Sequence, residues 1–309
     1  MAKQYYRLVT RSDFDGLVCA AILKELDLID DILFVHPKDM QDGSIAITDR
    51  DITTNLPYVK EAHLAFDHHL SETLRNEKAA NHIIDPAAPS AARVVYDYYG
   101  GAETLPNISA ELMLAVDKGD SANFSKAEIL DPKGWDLMNF LMDARTGLGR
   151  FRDFRVSNYQ LMMMLIDECR AKPIEAILQL PDVKERVELY VDHQAKAKAQ
   201  ILRCASVHNN CVVLNLQNED PIWATNRFII YALFPECNIS IHRLWGLKQQ
   251  NTVFAIGKSI LDKSSNTSVG ALCLKYGGGG HQAAGTCQVE NSEADNVLKA
   301  LLEQINRDG

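Results

Sequence analysis

Short apolar runs and longer helical patterns alternate through the start of this chain. The runs "YYRLV" (5–9), "ILFVH" (32–36), "SIAIT" (44–48), "AHLAF" (62–66) and "NHIID" (81–85) have the length of strands. The segments "GLVCAAILKEL" (16–26), "SAARVVYDYYG" (90–100) and "SAELMLAVDKG" (109–119) place apolar residues at helical spacing. Strand alternating with helix predicts a parallel sheet with helices on both faces. Such sheets gather ligands at the carboxyl ends of their strands.

The pattern then changes twice. Residues 134–203 predict helices alone, in "GWDLMNFLMDA", "SNYQLMMMLIDECR" and "PDVKERVELYVDHQAKAKAQILRCA", with Pro173 and Pro181 as punctuation. Met162–Met164 read as helix core. From about residue 207 a second α/β pattern begins. "NCVVLNL", "CNISIHRL" and "TVFAIG" predict strands, and "TNRFIIYALF", "SVGALCLKY" and "SEADNVLKALLEQI" predict helices. The expected organisation is an α/β chain: a parallel-sheet domain over 1–185 that includes a helical extension (134–185), a linker helix over 186–206, and a smaller α/β domain over 207–309.

Composition narrows the function. With 309 residues, 47% of them hydrophobic, the chain has material for two cores. A net charge of −9 disfavours a grip on long nucleic acid but allows a small anionic substrate, if a metal supplies local positive charge. Seven cysteines without a C-x-x-C pair read as small core residues. The N-terminus lacks the apolar core of a signal peptide, and no run approaches the ~18 residues of a membrane span. A soluble cytoplasmic protein without membrane contact is the expectation.

The chemistry lies at the predicted strand ends. Asp13 and Asp15 follow the first, Asp49 follows "SIAIT", Asp67, His68 and His69 follow "AHLAF", and Asp117 and Asp120 close the helix after "ELMLAV". A lone Asp-x-Asp is ordinary turn or N-cap chemistry. The first three of these groups, in this order and each at a predicted strand end, are not explained that way. Carboxylates gathered so closely repel and raise one another's pKa unless cations intervene. Carboxylate with some imidazole suits Mn²⁺ or Mg²⁺. A carboxylate-bridged pair of such ions, roughly 3.5–4 Å apart, is suited to phosphoryl displacement.

The motifs "RSDFDG", "AITD", "FDHH", "VDKGDSANF" and "YGGGGHQAAG", in this order, resemble those of the DHH phosphoesterase superfamily with its DHH-associated C-terminal domain. That superfamily includes RecJ-type nucleases, short-oligonucleotide and cyclic-dinucleotide phosphodiesterases, and family II inorganic pyrophosphatases. The resemblance covers residues 5–124 and about 207–290. It implies a DHH catalytic domain, a C-terminal substrate-binding domain and an active-site cleft between them. It also implies one metal held by Asp15, Asp49, His68 and Asp120, and another held by Asp13 and the bridging Asp49. Asp117 is the rival of Asp120. His69 would contact the substrate phosphate, and Asp67 would orient an imidazole.

The departure from the family pattern is Arg11, where the motif normally has a histidine ligand. A charged guanidinium does not coordinate metal. Either the second metal is weakly held, or Arg11 itself takes phosphate in that metal's place, so one or two ions are expected. In the second domain, Gly278, Gly279 and Gly280 could form an anion nest followed by His281, with Lys258 as a nearby cation. Arg145, Arg150, Arg152 and Arg155 form a basic patch that is either surface or cleft wall.

The expected activity is metal-dependent hydrolysis of phosphodiester bonds in short oligonucleotides or related small nucleotides, through in-line attack of an activated water. Two alternatives stand beside it. One is an exopolyphosphatase or nucleotide phosphomonoesterase; the other is a non-catalytic binder of anions. A homodimer remains open.

Overall fold

The computed structural model describes residues 3–309. The chain divides into two compact units. One comprises the residues up to Asn123 with Lys133–Ala144 and Leu148–Glu188. The other comprises Phe124–Pro132, Arg145–Gly147 and Leu189–Gly309.

The first unit is built on a five-stranded parallel sheet. Its strands are β1 (Tyr6–Arg11), β2 (Ile29–Val35), β3 (Asp51–Thr54), β4 (Leu64–Asp67) and β5 (His82–Ile84), in spatial order β2-β1-β3-β4-β5. The helix Phe14–Glu25 returns from β1 and is buried from Phe14 to Leu23. From Leu17 to Leu23 it is apolar on every side because it packs between the sheet and the helices Ala91–Tyr98 and Asn158–Ala171.

One expected strand is displaced. Residues 44–48 are not a strand; β3 begins at Asp51, registered with Leu8 opposite Ile52 on β1 and Ile52 opposite Leu64 on β4. Ile45 and Ile47 instead pack against a cluster of Val9, Val35, Met40 and Leu56. Their alternation therefore reports a packed loop rather than a ladder. The start of β3 is pinned by a bidentate pair, Arg7 Nε to Asp51 Oδ1 at 2.6 Å and Arg7 Nη2 to Asp51 Oδ2 at 3.0 Å. Thr48 N also donates to Asp51 Oδ2 at 2.7 Å.

The second unit holds a six-stranded mixed sheet. Its strands are β6 (Ala205–His208), β7 (Cys211–Asn215), β8 (Ile239–Trp245), β9 (Thr252–Lys258), β10 (Gly279–Gly280) and β11 (Ala284–Val289), ordered β10-β11-β9-β8-β7-β6. Only β7 and β8 run parallel. The helices Val269–Leu274 and Ala294–Asp308 cover one face, with Leu272, Leu301 and Ile305 packed on Val213, Ile241 and Phe254.

The long helix Pro181–Cys204 begins in the first unit and ends in the second, so the division falls inside it, between 188 and 189, and not at its start. Residues 124–132 also join the second unit. Buried Asn226 ties them there, donating Nδ2 to Ile129 O at 2.9 Å and to the Tyr190 hydroxyl at 3.1 Å. Cys204 is partly exposed and the other six cysteines are buried, all as free thiols. Among the described residues, no helix is long and apolar enough to cross a membrane.

Candidate metal centre

The site forms where β1, β3 and β4 end. After Arg11 the chain turns directly into the helix Phe14–Glu25, with Asp13 as its N-cap; Asp13 Oδ1 accepts from Gly16 N at 3.0 Å. Gly16 is required by close packing, since a Cβ there would lie 2.0 Å from Arg11 O. This tight turn sends Asp15 inward, where it is 2% exposed. Asp15 lies at the N-terminus of the helix Ala91–Tyr98, accepting from Ala91 N at 3.0 Å and Ala92 N at 2.8 Å, one bond to each oxygen. The helix end offers a carboxylate both donors and favourable dipole.

His68 follows β4. Its Nδ1 lies 3.2 Å from Ala88 O, which fits an Nδ1–H donor and leaves Nε2 as the ligating atom. His68 Nε2 is 2.9 Å from Oδ2 of Asp120, the last residue of the helix Ala110–Asp120. Asp15, His68 and Asp120 each present one ligand atom, and these atoms all lie within 4.8 Å of one another.

The electrostatics show what this cluster lacks. Burial first, and the charge of Asp120 second, push the Asp15 carboxyl well above the usual range. Burial opposes charge on His68, but the Asp120 carboxylate outweighs it and pushes the imidazole up to about 9. Burial would likewise raise Asp120, yet the adjoining His68 holds it below its ordinary value. One divalent cation would satisfy both carboxylates and the imidazole together, so the donor set fits the ion that the sequence motifs imply.

Asp117 stands apart. One turn before Asp120, it accepts from Ser90 Oγ at 2.8 Å and from Arg93 Nη2 at 2.5 Å. Asp67 is 1% exposed, and its Oδ1 meets His69 Nδ1 at 2.7 Å and accepts from His68 N at 2.9 Å. It therefore orients His69 instead of joining the three ligand atoms.

Asp49 is not brought to this edge. It lies in an exposed turn ahead of β3, and its neighbour Arg50 donates to Tyr5 O at 3.2 Å, beside the start of β1. Because β3 runs parallel to β1 and β4, the residue leaving its carboxyl end is Asn55. Asn55 is 1% exposed and donates Nδ2 to Asp13 Oδ1 at 3.4 Å. Arg11 Nε is 2.8 Å from Asp13 Oδ2. Arg11, Asp13 and Asn55 thus form a second set beside the three ligands.

Asn55, Ser90 and Arg93 were not singled out by the motifs. The signal for Asn55 was the β-branched run "ITT" followed by a turn residue; for Ser90 it was "PSAAR", a Ser N-cap ahead of small helical residues.

In the second unit, the glycine run is part of the sheet edge and not an open nest. Gly278 N donates to Cys273 O at 3.0 Å, Gly277 N to Leu274 O at 3.1 Å and His281 N to Ala284 O at 2.7 Å. A Cβ on Gly278 would lie 2.1 Å from Thr286 O, so the run is glycine-rich because β10 packs directly on other backbone. Gly279 and Gly280 pair with Thr286 and Gly285 of β11. His281 is exposed. Lys258 ends β9, and its Nζ donates to Ser265 O at 2.9 Å.

The chain is similar to several solved structures. A pGpG-specific phosphodiesterase, PggH from Vibrio cholerae, is 64% identical, with a TM-score of 0.87, over 98% of this chain and 100% of that one. RecJ from Thermus thermophilus, in complex with Mn²⁺, is 13% identical, with a TM-score of 0.51, over 98% of this chain and 52% of that one. CDC45 from Entamoeba histolytica is 10% identical, with a TM-score of 0.54, over 98% and 96%. The last two likenesses are of fold alone. No family model matches the chain, and no curated protein sequence matches it.

Proposed function

We propose that this chain, which belongs to the DHH phosphoesterase superfamily, hydrolyses the phosphodiester bond of a short linear dinucleotide of the pGpG type. The observation that carries this reading is 64% identity along the full length of a pGpG-specific phosphodiesterase. The net charge of −9 agrees with a short substrate over a long strand.

Asp15, His68 and Asp120 would hold the divalent cation, for which Mn²⁺ is the first choice and Mg²⁺ the second. When bound, the cation supplies the charge that makes water nucleophilic near neutral pH. The remaining work falls to side chains. Arg11 donates to a non-bridging oxygen of the phosphate and neutralises charge there. Asp67 fixes the His69 ring through Nδ1, so that Nε2 is presented for a hydrogen bond to the phosphoryl group.

Hydrolysis of pGpG with Mn²⁺ should release GMP, read by chromatography of the products. Equal rates on pyrophosphate or polyphosphate, or no GMP at all, would overturn the substrate assignment.

A further inference from the structure

Three positions beside the metal ligands deny a second cation its usual donors. Arg11 is a cation, Asn55 is a neutral amide, and Asp13, the one anion among them, is already engaged. Its oxygens face Arg11 Nε at 2.8 Å, Gly16 N at 3.0 Å and Asn55 Nδ2 at 3.4 Å. Turning the Asn55 amide over would set its carbonyl against the Asp13 carboxylate, so Nδ2 must face Asp13. Asn55 Oδ1 is then a buried acceptor without a hydrogen-bond partner. A neutral carbonyl of this kind does not substitute for the anionic oxygen that bridges two divalent ions.

Charge leads to the same answer. The carboxylates of Asp13, Asp15 and Asp120 are balanced by one guanidinium and one divalent cation. A second divalent cation would find only the Asp13 carboxylate among the Arg11, Asp13 and Asn55 side chains, and that carboxylate already answers the guanidinium.

We infer that the centre is mononuclear: one divalent cation binds at Asp15, His68 and Asp120, and the Arg11 guanidinium, held by Asp13, to which Asn55 also donates, takes the second cation's role toward the substrate phosphate. This rests on the phosphodiesterase reading and deepens it. Arg11 is then a fixed charge that cannot be chelated away. It meets phosphate through planar donors, a geometry suited to one phosphodiester group.

Metal stoichiometry tests the count without reference to turnover. Protein equilibrated with excess Mn²⁺ and gel-filtered should carry one Mn per chain by mass spectrometry. Its EPR spectrum should be the six-line signal of an isolated ion. Two Mn per chain, or a spin-coupled spectrum, would overturn the inference and leave the phosphodiesterase reading standing. One Mn per chain with no hydrolysis of pGpG would instead overturn that reading. The Arg11→His, Asn55→Asp double variant should gain a second Mn; if it stays at one, these two residues do not set the count. For the charge role, Arg11→Met should keep one Mn per chain and raise KM for pGpG about ten- to a hundredfold, the worth of a hydrogen bond to a charged group. An unchanged KM would remove Arg11 from the phosphate.

Discussion

Asp67 and Asp120 are both acids beside the DHH histidines, yet they are committed to different work. Asp120 faces His68 Nε2 with a carboxylate oxygen 2.9 Å away, while Asp67 spends Oδ1 on His69 Nδ1 and on the His68 amide. Replacing Asp67 by Asn leaves volume intact but sets an amide that can swing its Nδ2 toward His69, freeing the ring to change tautomer. Asp67→Asn should lower kcat about 10²–10³-fold, the usual contribution of a positioned acid–base group, with the bound metal count unchanged. His69→Gln should fall to a similar level, and the double variant little further, because the two act as one unit. Loss of metal in Asp67→Asn would mean that the carboxylate is itself a ligand. Asp67 could be paired with an imidazole from the adjacency of "FDHH", but which imidazole required the turn after β4. Adjacent side chains diverge there, one toward Ala88 O and the other back toward Asp67.

At the scale of the element, the parallel sheet was legible because the apolar runs of β1, β2, β4 and β5 are short and separated by helical spacing. β3 was not. The expected strand "SIAIT" and the observed strand "DITT" lie close together in sequence, and the longer apolar alternation belongs to the loop. Alternation reports burial on one side, which Ile45 and Ile47 obtain by packing on Met40 and Val35 without any ladder. What selects "DITT" is non-local: Arg7 on β1 grips Asp51, and only the register opposite Leu8 brings that pair together. The displacement moves the acid of "AITD" to the wrong end of its strand and puts Asn55 at the site. Asp49→Ala should accordingly keep one bound Mn and a turnover within about twofold of the parent, as for an exposed substitution with no buried partner. A loss of either by tenfold would place Asp49 back among the ligands.

At the scale of the whole chain, the two α/β patterns were readable, and the linker expected from residue 186 starts close to the division between 188 and 189; the segments 124–132 and 145–147, which join the second unit from within the first unit's stretch of sequence, carry no such mark. The two units nevertheless keep separate cores, and the second contains its own proton-sensitive group. His242 lies within β8, between Leu214 of β7 and Ala255 of β9, and burial pushes its imidazole down to about 4. The folded state therefore holds His242 neutral, while the unfolded chain takes up its proton near 6.5. Between those values the unfolded state binds more protons. The stabilisation from neutral His242 is complete above about pH 6.5 and is lost as pH falls toward 4. His193, lowered chiefly by burial, adds in the same direction. Hydrogen exchange in β7, β8 and β9, corrected for the intrinsic effect of pH, should report falling protection between pH 6.5 and 4.5. His242→Asn, with no proton to gain, should flatten most of that slope, and the part that remains should belong to His193 and, at the acid end, to the lowered carboxyls of Glu219 and Asp192. Parallel slopes in the parent and in His242→Asn would show that β8 does not carry the acid sensitivity of this unit.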